Sequence, residues 1–269
     1  VMRDMLAGEN VALVTVRQVA EGVFNHAFVT QNIVESRITL SNKGIGFLFP
    51  LYLYPDSEQP DLLSHLEPQK PRPNLNPKVL ESLAKAHGKA PTPEEVFHYI
   101  YAVLYAPAYR EKYADFLRLD FPRIPFPADR EVFTGLAALG KRLVDLHLLR
   151  SSELDPPLAK FEGQEDNQVG GNRCDGVRYD AEHQRVYINP TQYFAPVPPE
   201  VWEYTIGGYQ VCLKWLKERQ GRHLSLNEIQ TYCRMVTALT RTMEVQSEID
   251  KYYARVEAAT VAFSSSGIS

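Results

Sequence analysis

The chain has 269 residues, 44% hydrophobic and 23% charged, the balance of a globular protein with material for one large domain or two small ones. A formal net charge of −4 is no global sign of nucleic-acid binding and does not exclude it, because local clustering of basic residues decides. The three cysteines Cys174, Cys212 and Cys233 lie far apart without CxxC spacing, which excludes a disulfide framework and a cysteine zinc site and leaves small buried hydrophobes in a reducing cytoplasm. No apolar run approaches the roughly 20 residues that a membrane helix needs. The chain opens on Val1 without an initiator methionine or a signal-peptide pattern, which reads as a piece of a longer polypeptide. Acidic residues concentrate in 151–182, whereas 110–150 and 214–223 lean basic.

Residues 11–54 read as strands. "VALVTV" is apolar and β-branched, "FNHAFVT" and "SRITLS" half-alternate, and "GIGFLFPLYLY" is a longer apolar run ending at Pro55. The proline- and acid-rich stretch 55–75 reads as an exposed loop. A helix over "NPKVLESLAKAHG" stops at Gly88. The next begins with Thr92 as N-cap, Pro93 at the first helical position and Glu95 closing a capping box, and Pro107 breaks it in two. The three prolines of "LDFPRIPFP" predict an extended strap, and 129–150 a further helix. A polar, glycine-rich loop occupies 163–173, and "GVRYD" and "QRVYINP" form a hairpin across "AEHQ". Ser225 and Glu228 make a second capping box ahead of a long helix over 226–258. The expected fold class is α+β: a mostly β N-terminal block, a helical block, a β-hairpin and a long C-terminal helix. The expected divisions are a β-rich subdomain with its exposed loop over 1–75, a helical subdomain with inserted hairpin over 76–258, and a disordered tail over 259–269. The alternative is one composite domain.

Most apparent catalytic motifs fail on chemistry. "GLAALGKR" at 135–142 matches a phosphate-binding P-loop until Arg142 stands where the magnesium-binding Ser or Thr belongs, and it lies in a helical pattern. "DPPL" at 155–158 is similar to the tetrapeptide of amino-methyltransferases, but Leu158 cannot stack on a flipped base. "GIGF" at 44–47 reads as a turn or bulge. The seven histidines show no HxxxH or HExxH spacing, no GxSxG elbow occurs, and His98 reads as a packed or surface side chain among aromatics. No catalytic, cofactor-binding or metal-binding residue is assigned.

The segment 203–229, "EYTIGGYQVCLKWLKERQGRHLSLNEI", joins a glycine pair, an aromatic-rich helical stretch with lysines and a basic loop. On a wheel of about 100° per residue, Tyr209, Val211, Cys212, Leu213, Trp215 and Leu216 fill roughly half the circumference, so this helix packs against more than one neighbour. Trp215 and Tyr209 therefore read as core rather than as base-stacking rings. Gly207 and Gly208 can take the positive φ that turns a strand into the helix. Lys214 and Lys217 share a face, and Arg219, Arg222 and His223 follow at its end, a cation cluster that is either a solvated face or a phosphate-binding one.

The strings "FPLYLYP", "VFHYIYAVLYAPAYREKYADFLRLDFPRIPFP" and "VWEYTIGGYQVCLKWLKERQGR", in this order and spacing, resemble the C-terminal specificity region of type ISP restriction–modification enzymes and their single-chain relatives. The resemblance spans about residues 2–253. In that family one polypeptide joins nuclease, ATP-driven motor, adenine-N6 methyltransferase and target-recognition parts. The resemblance implies that this chain is the part that reads duplex DNA. It also implies that S-adenosylmethionine, ATP and Mg²⁺ belong to the preceding parts, that an upstream methyltransferase domain is the intramolecular partner, and that no cofactor or membrane is bound here. These strings report scaffold, so the DNA-binding side chains are expected from chemistry. Arg17, Gln18, Asn25, His26, Asn32, Asn42 and Lys43 in the β block, with Gln168, Asn172 and Arg173 in the glycine-rich loop, are candidate base readers. Lys214, Lys217, Arg219 and Arg222 are candidate phosphate binders. At net charge −4 the isolated chain is expected to bind DNA weakly, salt-sensitively and mostly without sequence preference.

Two rivals make separate demands. A small-molecule hydrolase or transferase needs a deep pocket with convergent carboxylates. A helical interaction module needs the stripe Ile229, Tyr232 or Cys233, Val236, Leu239 or Thr240, and Met243 to face a partner rather than a core.

Overall fold

The computed structural model describes residues 2–19, 22–38, 45–55, 70–170 and 176–263. The fold mixes helices with antiparallel sheets and ends on a long helix, the α+β class expected. Two compact units divide it, one of residues 1–144 with 247–269, the other of 145–246.

The first unit opens with α1 (Met2–Leu6) and a three-stranded antiparallel sheet in the order β2-β1-β3, with β1 at Ala12–Val16, β2 at Ala27–Thr30 and β3 at Gly46–Pro50. Its alternation puts Ala12, Val14 and Leu48 on one face with Met5, and Phe28, Val34 and Ile38 pack on them. The expected strand at 36–41 is corrected in its described part: Ser36 and Arg37 form a turn, and 39–41 lie outside the described residues. The short β4 (Tyr52–Leu53), in the run expected to be strand, pairs with β5 (Arg72–Pro73), which corrects the end of the 55–75 stretch expected to be loop.

Helix starts and stops follow local chemistry. Asn76 caps α2 (Pro77–His87), which ends on Gly88 at φ 69°. Thr92 and Glu95 close the capping box of α3 (Pro93–Tyr105). Pro107 ends that run and starts α4 (Pro107–Lys112), followed by α5 (Ala114–Leu119). The strap after α5 is pinned at its end, where Pro127 bridges Thr260 antiparallel and Val261 N donates to Phe126 O at 2.8 Å, so 259–261 of the tail expected to be disordered are ordered. The strap's prolines remove donors but leave carbonyls to satisfy. Buried rings do this: the Tyr99 hydroxyl donates to Pro125 O at 2.5 Å, the Tyr109 hydroxyl to Arg123 O at 3.0 Å, and His87 Nε2 lies 2.9 Å from Pro127 O. The strap is followed by α6 (Arg130–His147). The P-loop-like run lies inside this helix, and its glycines serve close packing: a Cβ on Gly140 would fall 1.8 Å from His98 O.

The second unit holds β6 (Lys160–Glu162), β7 (Arg178–Asp180), β8 (Arg185–Tyr187) and β9 (Tyr193–Ala195), antiparallel in the order β6-β9-β8-β7. The expected hairpin is β7–β8, paired Arg178 to Tyr187, Tyr179 to Val186 and Asp180 to Arg185. Next come α7 (Pro199–Trp202) and a tight hairpin of β10 (Thr205–Ile206) and β11 (Tyr209–Gln210). Gly207 at φ 61° and Gly208 at φ 84° form its turn. Tyr209 and Gln210 are thus strand, and the helix α8 spans Val211–Lys217. The last helix, α9 (Leu226–Val256), starts at the Ser225–Glu228 box. Val186 and Phe194 of the sheet, Cys212 and Leu216 of α8, and Ile229, Tyr232, Cys233, Val236 and Leu239 of α9 form one buried cluster. The stripe that a partner helix would need is therefore core. Burial pushes the Cys212 thiol up to about 12 and the Cys233 thiol up to about 11, as expected of inert packed cysteines; Cys174 lies outside the described residues.

Candidate nucleic-acid interface

In the second unit the polar loop and the basic loop, some 50 residues apart in sequence, are laced together. Val169 N donates to Arg222 O at 2.9 Å, Gly221 N to Val169 O at 2.8 Å and Leu224 N to Asn167 O at 2.9 Å. The Gln168 amide donates to Gly221 O at 3.3 Å, and Gln168 O accepts from Asn189 Nδ2 at 3.2 Å. Below them Gln192 is buried and donates to Asn167 Oδ1 at 2.8 Å, so a satisfied amide network supports the loop from beneath. Gln168 thus stands beside Arg222, but one of its amide hydrogen bonds is already used. Asn172 and Arg173 lie outside the described residues.

The cations there have company. Lys214 Nζ lies 2.6 Å from Glu218 Oε1 and 4.2 Å from the Tyr209 ring centroid. Arg219 stacks on Trp215 at 3.6 Å, donates to Trp215 O, and meets Glu228 Oε1 at 3.1 Å. Arg222 reaches the same oxygen at 3.1 Å. Backbone hydrogen bonding from Ser225, then its hydroxyl and these two arginines, hold the Glu228 carboxyl below its ordinary range, so it stays charged. Lys217 is exposed and has no ion pair among the described residues. Two carboxylates therefore neutralise much of the field that a run of four cations implies in the sequence. Trp215 is half-buried against Tyr232, with ring centroids 5.2 Å apart, as a core ring would be.

The first unit sorts its candidates by burial. Arg17 is exposed and pairs with Asp120 at 2.9 Å; Gln18 donates to Leu119 O at 3.3 Å, so both extend along the end of α5. Asn32 is exposed in the bend after β2, its N–H held by Thr30 Oγ1 at 3.0 Å. Asn25 and His26 are buried, His26 to 2% exposure. Burial, then the nearby Arg110 charge, lower the His26 pKa to about 4, which keeps its ring neutral and inside the fold. Asn42 and Lys43 lie outside the described residues.

Two cavities in the first unit are mostly apolar in lining. One of about 440 Å³ is lined by Tyr109, Tyr113, Phe116 and the strap, with Asp120 its one carboxylate. Another of about 430 Å³ is lined by Leu13, Phe49, Phe97 and other largely apolar groups, with no carboxylate. Among the described residues no three His, Cys, Asp or Glu side chains are placed to hold a metal, and no helix is long and apolar enough to cross a membrane.

A family model, that of the Type ISP C-terminal specificity domain, matches residues 1–248. The chain belongs to this family. Its fold is similar to part of the ATP-dependent Type ISP restriction–modification enzyme LlaBIII, solved bound to DNA, with TM-score 0.66 and 18% identity over 90% of this chain and 16% of that one. It is also similar to a nuclease-deletion mutant of the Type ISP enzyme LlaGI in complex with a DNA substrate mimic, with TM-score 0.60 and 17% identity over 90% and 18%. A DrdV–DNA complex gives TM-score 0.62 and 23% identity over 94% and 25%. At these identities the likeness is one of fold, and the chain spans 16–25% of the length of those structures. No curated protein matches it.

This specificity domain carries one charged surface that the sequence pattern does not announce. On the outward face of the four-stranded sheet Arg178, Tyr187, Tyr193 and Glu162 sit in one row across the strands. Arg178 Cζ lies 3.6 Å from the Tyr187 ring centroid and Arg185 Cζ 4.4 Å from that of Tyr193. The period-two spacing of Arg178 and Asp180, and of Arg185 and Tyr187, is visible in the hairpin. That rings on β8 and β9 lie under guanidiniums from β7 and β8 depends on strand order, which the sequence does not display.

Proposed function

We propose that this chain reads the target sequence in duplex DNA for a Type ISP restriction–modification polypeptide and presents the target adenine to an adenine-N6 methyltransferase part of the same polypeptide. One observation carries the reading: the specificity-domain model matches 1–248, nearly the whole chain. Three similar folds come from proteins solved with DNA or a DNA mimic, which supports the choice of ligand. Base reading falls to exposed polar side chains held by each unit's own frame: Arg17, Gln18 and Asn32 in one unit, Gln168 in the other. Asn42, Lys43, Asn172 and Arg173 remain in the proposed set on their chemistry. Asn25 and His26 act in the fold instead, since buried groups cannot meet a base edge.

S-adenosylmethionine belongs to the methyltransferase part, and ATP and Mg²⁺ to the motor. The P-loop-like run does not fit ATP and Mg²⁺, because it is a packed helix and Arg142, at its last position, meets Glu248 at 3.1 Å. The test is selection by the intact protein from a randomised duplex library. A defined site should be enriched, and Gln18→Ala or Asn32→Ala should change which sites are selected and methylated. Recovery of the unselected library would refute the reading.

A further inference from the structure

We infer that the outward face of the sheet, through Arg178 and Arg185, grips the DNA sugar–phosphate backbone without regard to sequence, a role that rests on the DNA-reading function proposed above. The two arginines are pre-positioned. Each guanidinium lies over a tyrosine ring, at 3.6 Å and 4.4 Å from the centroids, which removes rotamer freedom before any ligand arrives and leaves its N–H edge to bind. The Tyr187 hydroxyl accepts from Arg185 Nη1 at 3.4 Å, a long hydrogen bond that one phosphate oxygen can replace.

Neither arginine has a carboxylate within ion-pair distance among the described residues. The acids on this face hydrogen-bond to other groups, though Asp180, across from Arg185 in the hairpin, still acts on it through its charge. Glu162 accepts from the Tyr193 hydroxyl at 2.8 Å. Asp180 Oδ2 lies 2.9 Å from His183 Nδ1, and its Oδ1 accepts from His183 N at 3.2 Å. Lys160, exposed on β6, adds a cation to the same face. Phosphate is the matching ligand because a stacked guanidinium presents a flat, doubly donating edge, and duplex DNA presents such groups in rows. The inner face of the sheet is committed to the core through Val186 and Phe194, so the backbone under the arginines is held by packing.

The experiment is duplex binding by the intact protein over a salt series, with a selected site and with random sequence. Arg178→Gln together with Arg185→Gln should weaken both duplexes alike and reduce the slope of log K against log salt by about 2, since each phosphate that is no longer neutralised removes about 0.9. Thermal unfolding checks that the variant folds. If it does not, Arg178→Lys with Arg185→Lys carries the test: affinity should fall several-fold on both duplexes with the slope kept, since charge remains and stacking weakens. An unchanged slope in the folded glutamine variant, an unchanged affinity in the lysine variant, or a weakening confined to the selected site would overturn the assignment. A wild-type protein that binds no duplex would overturn the function proposed for the chain as well. A wild type that still selects its site beside an unaffected variant would overturn the sheet face alone.

Discussion

The loop after α8 and the outer face of the sheet both carry arginines over aromatic rings, and they differ in what else those arginines touch. Arg219 and Arg222 converge on one oxygen of Glu228, and Lys214 on Glu218. Arg178 and Arg185 rest on Tyr187 and Tyr193 with no carboxylate at ion-pair distance among the described residues, although Asp180 lies across from Arg185 and acts on it through its charge. A sequence counts cations; a phosphate meets only those that remain available. The run "KWLKERQGR" therefore overstates its field, whereas the alternating "RYD" and "RVY" understate theirs.

The sharpest way to break this contrast is to compare the two faces of the sheet. Phe194 is fully buried, 4.2 Å from Tyr232 and 4.8 Å from Phe161 between ring centroids. Phe194→Ala should cost about 3–5 kcal/mol in denaturant unfolding, and Tyr193→Ala, one residue away on the outer face, less than about 1.5 kcal/mol. Equal costs would mean that the outer row is core, not an available surface.

Burial does to His26 what carboxylates do to Arg222. Its folded pKa of about 4 lies below the unfolded 6.5, so between these values the unfolded chain binds more protons. His26 therefore contributes stability at pH 7 that is lost as pH falls from about 6.5 through 4, up to about 3 kcal/mol. His26→Gln should remove that component from the pH dependence of unfolding. A wild-type curve with the same slope in both proteins would put His26 back at the surface and among the readers.

A smaller effect comes from releasing the neutralised arginines. Glu228→Gln keeps a capping residue at that position but frees Arg219 and Arg222 of its charge. Duplex binding should become more salt-sensitive, its slope steeper by about 1–2. No steepening would show that this loop stands away from the DNA backbone even when its charge is free. The smallest expected change follows Lys214→Ala with Lys217→Ala: Lys214 is already paired, so the slope should fall by no more than about 1. A larger fall would restore the loop as the main phosphate binder.

Much of the fold was legible because it is coded locally. The stop at Gly88, the break at Pro107 and the turn at Gly207 and Gly208 each follow from a residue's backbone preference, and the Thr92–Glu95 and Ser225–Glu228 boxes from a pair three positions apart. The three-residue strands β6 and β9 were not legible, since a run so short shows no period and exists only through its neighbour's hydrogen bonds. In the candidate site, the exposure of Arg17, Gln18 and Asn32 agreed with their placement beside strands, whereas Asn25 and His26 looked the same in sequence and lie inside.

By itself the sequence determined the class of fold, the helix limits, the absence of cysteine pairing motifs and the resemblance to a specificity region, all properties of residues near one another or of long strings. Only the tertiary structure decided which cations are free. Charge availability depends on partners that fold in from elsewhere: Asp120 reaches Arg17 from about 100 positions away, and the ring under Arg178 arrives from another strand. Electrostatic and stacking interactions act over a few ångströms of space, and no spacing along the chain reports that distance.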